Sequence, residues 1–153
     1  EYGDFIDEVY MNTHFDTSRL FFADVGYFAP ELLQMNQTYY LYGDVRGPVS
    51  NLNANNLYLA YGNQTFVNGN FSVQGLPVIE STFILARVKE VQTNYADLCS
   101  LKIPGEHQAR TLPIPENIRN LGLVSFSGEF TGFYNDFVAF GVSIRLLELF
   151  QLI

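Results

Sequence analysis

Histidine, cysteine and paired carboxylates are the side chains most often used for chemistry, and each is sparse or isolated in this sequence. The 153 residues include two histidines, His14 and His107, and a single cysteine, Cys99. Neither histidine has metal-ligand spacing to the other or to the cysteine. His14 sits in Asn12-Thr-His-Phe-Asp16 and reads as an ordinary surface residue, as does His107 in a proline-rich stretch. One cysteine cannot form an intrachain disulfide, and no nucleophile motif surrounds it, so Cys99 reads as a small buried apolar residue. Asp4, Asp7 and Glu8 form an acidic cluster without the alternating ligand positions of a calcium loop. Gly43-Asp-Val-Arg-Gly47 lacks the Gly-Lys-Ser/Thr of a phosphate loop, and no Gly-x-Ser-x-Gly elbow occurs. The expectation is a chain without catalysis, metal or cofactor.

Binding chemistry is better represented. Hydrophobic residues make up 48% of the chain and charged residues 16%, against about 25% charged in an average soluble domain. So apolar a chain must bury much of its surface or expose a patch that something else covers. Eight Lys+Arg against 16 Asp+Glu leave a net charge of -8, which argues against nucleic acid and against docking on anionic headgroups. Tyr39, Tyr40, Tyr42, Tyr58 and Tyr61 could form a stacking platform for sugars or bases. Aromatics also favour strands for ordinary packing reasons, and that reading is preferred. No apolar run reaches the ~18 residues of a membrane helix. The start at Glu1 reads as a processing boundary from which any export signal has been removed.

The elements that would position these residues are strands. Leu41, Gly43 and Val45 alternate with Tyr40, Asp44 and Arg46. Leu57, Leu59 and Tyr61 share a parity, as do Phe71, Val73 and Gly75. Most regular is 123–132, with Val124, Phe126, Gly128 and Phe130 on one side and Ser125, Ser127, Glu129 and Thr131 on the other. Alternation with a period of two marks a sheet with one apolar and one wet face. Short spacing and turn signals at Arg46-Gly-Pro, Tyr61-Gly-Asn-Gln and Asn68-Gly-Asn favour an antiparallel meander. Short helices are expected at Ala29–Met35 and Pro115–Leu121, and a long loop at Cys99–Pro115.

The sequence also repeats. Gly43 to Ala54 aligns without gaps on Gly128 to Ala139, pairing Gly43 with Gly128, Val45 with Phe130, Gly47 with Gly132 and Ala54 with Ala139. Gly69-Asn-Phe-Ser-Val-Gln-Gly75 is a looser echo. Such repetition points to an elongated, repeat-built sheet. Gly43, Gly47, Gly128 and Gly132 fall on the apolar side, where glycine marks bends or close approach. A sheet notched in this way can curl toward that side and form a groove. The expected fold is therefore all-β, a mainly antiparallel curved sheet or half-pipe with one or two short helices. Candidate groove-lining residues are Leu57, Leu59, Tyr61, Phe71, Val73, Val124, Phe126 and Phe130. The same residues could instead form a closed core.

Leu20-Phe-Phe-Ala-Asp-Val-Gly-Tyr-Phe-Ala-Pro-Glu-Leu32, Gly43 to Leu57, Gly69 to Phe83 and Leu121 to Phe137 together resemble TamB-like translocation and assembly module proteins of the AsmA-like superfamily. The resemblance spans roughly residues 15–141. It implies a fragment of a long protein anchored in the inner membrane of a Gram-negative cell and extending through the periplasm. It further implies an apolar β half-pipe for phospholipid transport, with no catalytic residues. Phospholipid acyl chains and outer-membrane assembly proteins are the implied partners. The alternatives are an interaction module that receives strands by β-augmentation, an edge-to-edge homo-oligomer, or a plain structural β-domain. Residues 1–141 are expected to be one β-sheet domain. The tail from Val142 to Ile153 departs from the family pattern, and permitted codons in a shifted frame restore a family-like continuation. A frameshift near Val142 is therefore expected.

Overall fold

The computed structural model describes residues 6–26, 33, 35–103, 110–133 and 135–147. Among these residues nine strands follow in order: β1 (Met11–Phe21), β2 (Thr38–Gly47), β3 (Asn51–Tyr61), β4 (Thr65–Gln74), β5 (Phe83–Asn94), β6 (Lys102–Ile103), β7 (Arg110–Thr111), β8 (Leu123–Phe133) and β9 (Asp136–Leu147). Seven form one open antiparallel sheet in the order β1-β2-β3-β4-β5-β8-β9, and β6 pairs with β7. The fold is all-β with a few short helices. Tight turns such as Gly62-Asn-Gln between β3 and β4 leave each strand no partner nearer than its successor, so a meander results.

Between β5 and β8 the chain makes a long excursion. A helix at Tyr95–Ser100 opens it, with the Asn94 side chain accepting from the Asp97 backbone N–H at 2.8 Å. The expected loop at Cys99–Pro115 is therefore partly structured, by the end of this helix and by the β6–β7 pair. Residues 104–109, His107 among them, lie outside the described residues. A 3-10 helix at Glu116–Leu121 ends at Gly122, whose φ of 68° is open to glycine at little cost. The helix expected at Ala29–Met35 lies outside the described residues apart from Leu33 and Met35, as does Asp4 of the acidic cluster. Residues 142–147 continue β9 in register with β8, Ile144 opposite Phe126 and Leu146 opposite Val124.

The sheet carries a crease that crosses every strand. Each odd member of the meander bulges near its middle: β1 between Phe15 and Ser18, β3 between Ala54 and Leu57, β5 between Val88 and Val91, and β9 between Phe140 and Ser143. Thr17 (φ 46°), Asn56 (φ 49°) and Gly141 (φ 58°) hold the left-handed conformations of three of these bulges. Opposite them the intervening strands place Gly43, Gly69 and Gly128. A Cβ on Gly69 would lie 2.4 Å from the Arg87 carbonyl oxygen, so the bulged backbone occupies the space a side chain would need. Bulges bend strands and increase their twist. Aligned across seven strands, they fold both halves of the sheet about one line.

The sequence repeat is the spatial repeat. Val45 faces Ala54, Phe71 faces Ala86 and Phe130 faces Ala139, so three hairpins use the same large-against-alanine pair.

Candidate functional site

Residues opposite one another in an antiparallel pair point to the same side of the sheet. The registers therefore assign every candidate. Leu57, Leu59 and Tyr61 face Gly69, Val67 and Thr65. Phe71 and Val73 face Ala54 and Leu52 on one flank and Ala86 and Ile84 on the other. Val124, Phe126 and Phe130 face Thr93, Val91 and Ala86. All eight candidates share one face, and Gly43, Gly47, Gly128 and Gly132 share it too. The registers add Phe15, Leu41, Val88, Phe137 and Ile144 to this face, none of which was among the candidates.

The face is concave at the crease. Phe126 and Phe130 are four residues apart, roughly 13 Å along an extended strand, yet their rings meet edge to face at 6.4 Å. Gly128 between them offers no side chain, so the rings close over the gap. All eight candidates are half-buried, and among the described residues no large side chain is fully buried. Among the described residues the seven-stranded sheet is a single layer, and its apolar side is half-buried.

One end of the face is capped by the two long connections. Phe22, in the one-turn helix Phe22–Val25, packs edge-on against Tyr39 at 4.6 Å, and Tyr39 stacks on Tyr61 at 5.2 Å. Gln37 Nε2 donates to the Tyr61 hydroxyl at 2.9 Å and to the Ser100 carbonyl oxygen. Gln37 Oε1 accepts from the Tyr39 hydroxyl and from the Lys102 backbone N–H. Burial, together with the neighbouring Tyr61, raises the Tyr39 pKa to about 12. Tyr61 thus belongs to the cap and not to the open stretch of the face.

Asp97 locks this cap. It is 4% exposed and accepts from the Asn63 and Gln64 backbone N–H groups, the Thr65 hydroxyl and the Asn94 amide at 2.9–3.2 Å. Burial alone would push its carboxyl up. The donors outweigh it and hold the pKa below the ordinary value. Gly62 is required here, because a Cβ would lie 2.4 Å from Asp97 Oδ1. The spacing Asn94-x-x-Asp97 resembles a helix-start signature and was the available sequence signal.

The other end lies at the short turns. Ile84, Phe130, Thr131, Gly132, Phe133 and Phe137 line an open apolar hollow of about 220 Å³ there.

The opposite face is polar. His14 Nδ1 lies 2.9 Å from Asp44 Oδ1, and Arg87 lies 3.5 Å from Glu129, both pairs well exposed. Lys89 Nζ donates to Asn56 Oδ1, and Asn70 Oδ1 accepts the backbone N–H that the bulge at Asn56 frees. Tyr40, Tyr42 and Tyr58 lie on this side, whereas Tyr39 and Tyr61 lie on the apolar side. The five tyrosines therefore form no common stacking platform. Cys99 is free and half-buried, and among the described residues no three His, Cys, Asp or Glu side chains are grouped to hold a metal.

The chain matches no protein-family model, no curated protein and no solved structure.

Proposed function

We propose that this chain is a non-catalytic segment of a hydrophobic groove that conducts phospholipid acyl chains. In this reading it is TamB-like and works in the periplasm, within a protein anchored in the inner membrane. The observation that carries the proposal is the gathering of Leu57, Leu59, Phe71, Val73, Val124, Phe126 and Phe130 on one concave, half-buried face. The groove needs no ionised group, which suits a face without charged side chains at these positions.

Magnitudes favour passage over storage. A buried methylene is worth about 0.8 kcal/mol. A single layer covers one side of an acyl chain, so ten methylenes would gain roughly 4 kcal/mol, half of full burial. That is near the lower end of the cost of association, about 4 kcal/mol or more. Such a face holds a chain weakly and releases it easily. Across seven strands at about 4.8 Å each way, six intervals make a path of roughly 29 Å. The headgroup would stay at the wet rim.

The test is photo-crosslinking of the purified protein on phospholipid vesicles that carry a photoreactive acyl chain, followed by mass spectrometry of the labelled protein. Labelling is expected, with loss in Phe126→Asp and Phe130→Asp variants that still melt cooperatively. Unlabelled protein with a cooperative melt would reject the groove reading.

A further inference from the structure

We propose that the polar face of the sheet, opposite the groove, binds a neutral oligosaccharide across β2, β3, β4 and β5. This site goes beyond the groove and is independent of whether the concave face carries lipid.

Two features of that face are not used up by the fold. The first is aromatic: three of the five tyrosines share this face with Phe66. Tyr42 lies opposite Tyr58 and Tyr58 opposite Asn68, while Tyr40 and Phe66 flank Ala60 in the next row. Tyr58 and Phe66 stack at 5.2 Å, and Tyr42 meets His14 edge-on at 5.9 Å. Even so, Tyr40, Tyr42 and Tyr58 remain 49%, 47% and 37% exposed. Exposed apolar patches rimmed by polar residues mark binding surfaces. The second feature is amide. Asparagine is depleted in strands, yet β3 and β4 together hold six. Asn56 takes the left-handed position of the bulge, and Asn70 Oδ1 accepts its backbone N–H. Asn53, Asn55 and Asn68 do neither, and among the described residues their side chains make no hydrogen bond.

The two features adjoin. Asn68 and Asn70 lie two residues apart on one side of β4, about 7 Å, and join the rings to a hollow of about 220 Å³. Asn53, Asn55, Asn70, Ser72, Leu85 and Arg87 line it on the polar side. A pyranose ring has the matching pair of chemistries. Its C–H face packs on an aromatic ring. Its hydroxyls, each both donor and acceptor, suit an amide, which also offers both. Charges around the patch are already matched: His14 with Asp44, Arg87 with Glu129, and Lys89 Nζ on Asn56 Oδ1. A neutral ligand is therefore favoured. Single-stranded nucleic acid could stack on the same rings, but its phosphates need clustered cations. Here Asp44 stands two residues from Tyr42, and Glu90 lies opposite Asn68. From β2 to β5 the patch is roughly 14 Å wide at about 4.8 Å per strand, which suits several linked rings.

The probes are cellohexaose, chitohexaose and maltohexaose, titrated into the intact chain by calorimetry and followed by tyrosine emission. At least one should bind saturably. Tyr42→Ala and Asn68→Asp, each melting as the parent does, should weaken that binding at least tenfold. Tyr42 is outside the Tyr58–Phe66 stack, and Asn68→Asp keeps the side chain's size while removing its donor, so the two variants check one another. Failure of all three sugars to bind, or binding that both variants leave unchanged, would overturn the proposal. So would an oligouridylate that binds where the sugars do not, or self-association in sedimentation that Tyr42→Ala abolishes and that leaves the patch closed to sugars.

Discussion

The crease can be tested by returning a single carbon to it. In Gly69→Ala the new Cβ would sit 2.4 Å from the Arg87 carbonyl oxygen and 3.1 Å from the Val88 Cα. The first contact is roughly 1 Å inside van der Waals separation. Both atoms are backbone of a central strand that also pairs with β8, so neither can move without straining two ladders. Overpacking of this kind costs about 3 kcal/mol. Removing a glycine from the unfolded chain returns about 0.4–1 kcal/mol, leaving a net loss of roughly 2–2.6 kcal/mol by those two figures. Gly128→Ala is the control on the same line. Its Cβ would lie 3.1 Å from the Phe140 oxygen and 3.1 Å from Val142 Cγ2, on an edge strand with a rotatable side chain. Its net change should stay below about 1 kcal/mol. Gly141→Ala separates sterics from conformation: no atom lies within 4 Å, but φ is 58°, so the left-handed backbone alone costs about 1–2 kcal/mol. Urea titration followed by circular dichroism and tyrosine emission, in a chain with ten tyrosines and no tryptophan, would rank the three. A Gly69→Ala variant as stable as the parent, or less affected than Gly128→Ala, would refute the reading of the crease as a line of close backbone approach.

Three further outcomes are expected. Asp97 has a depressed pKa in the fold, so its contribution is present above the ordinary value of 3.8 and disappears as pH falls through the lower folded value. Acid titration of stability should show that loss, and Asp97→Asn should abolish it; an unchanged acid limb in the variant would count against the cap. Tyr39 has a raised pKa, so its contribution is complete below pH 10 and is lost as pH rises through about 12. Alkaline unfolding between those values should move upward in Tyr39→Phe, and an identical alkaline limb would argue against it. Phe126 and Phe130 should show a coupling of about 0.5–1.5 kcal/mol in a double-mutant cycle to alanine. Additive losses would mean that the rings do not meet across Gly128.

The strands that were legible in the sequence are those without a bulge. In β2, β4 and β8 the concave side keeps one parity from end to end: Tyr39 to Gly47, Thr65 to Val73, Val124 to Gly132. Counting by twos recovers such a strand, and these supplied Phe71, Val73, Val124, Phe126, Phe130 and the glycine pairs. β3, β5 and β9 change parity at their bulges. Leu52 and Ala54 share a face with Leu57, Leu59 and Tyr61 although their numbers differ in parity. Ile84, Ala86 and Val88 likewise share one with Val91 and Thr93. An extra residue reverses the side on which every later side chain projects, so period-two reading halts at Asn56 and Lys89.

The sequence by itself determined the class of fold, the alternation of the unbroken strands and the repeat, because these depend on neighbours along the chain. Tertiary structure decided three things that depend on neighbours across the sheet. It aligned the bulges into a crease, since a bulge is tolerated where the facing strand offers a glycine. It joined Gln37, Tyr61, Asp97 and Ser100 into a cap, since side chains of two connections and a strand end, far apart in sequence, meet only once the sheet has formed. Among the described strands it put β1 and β9 at the two sides of the sheet, since only the order of strands in space says which strands are flanked on one side alone.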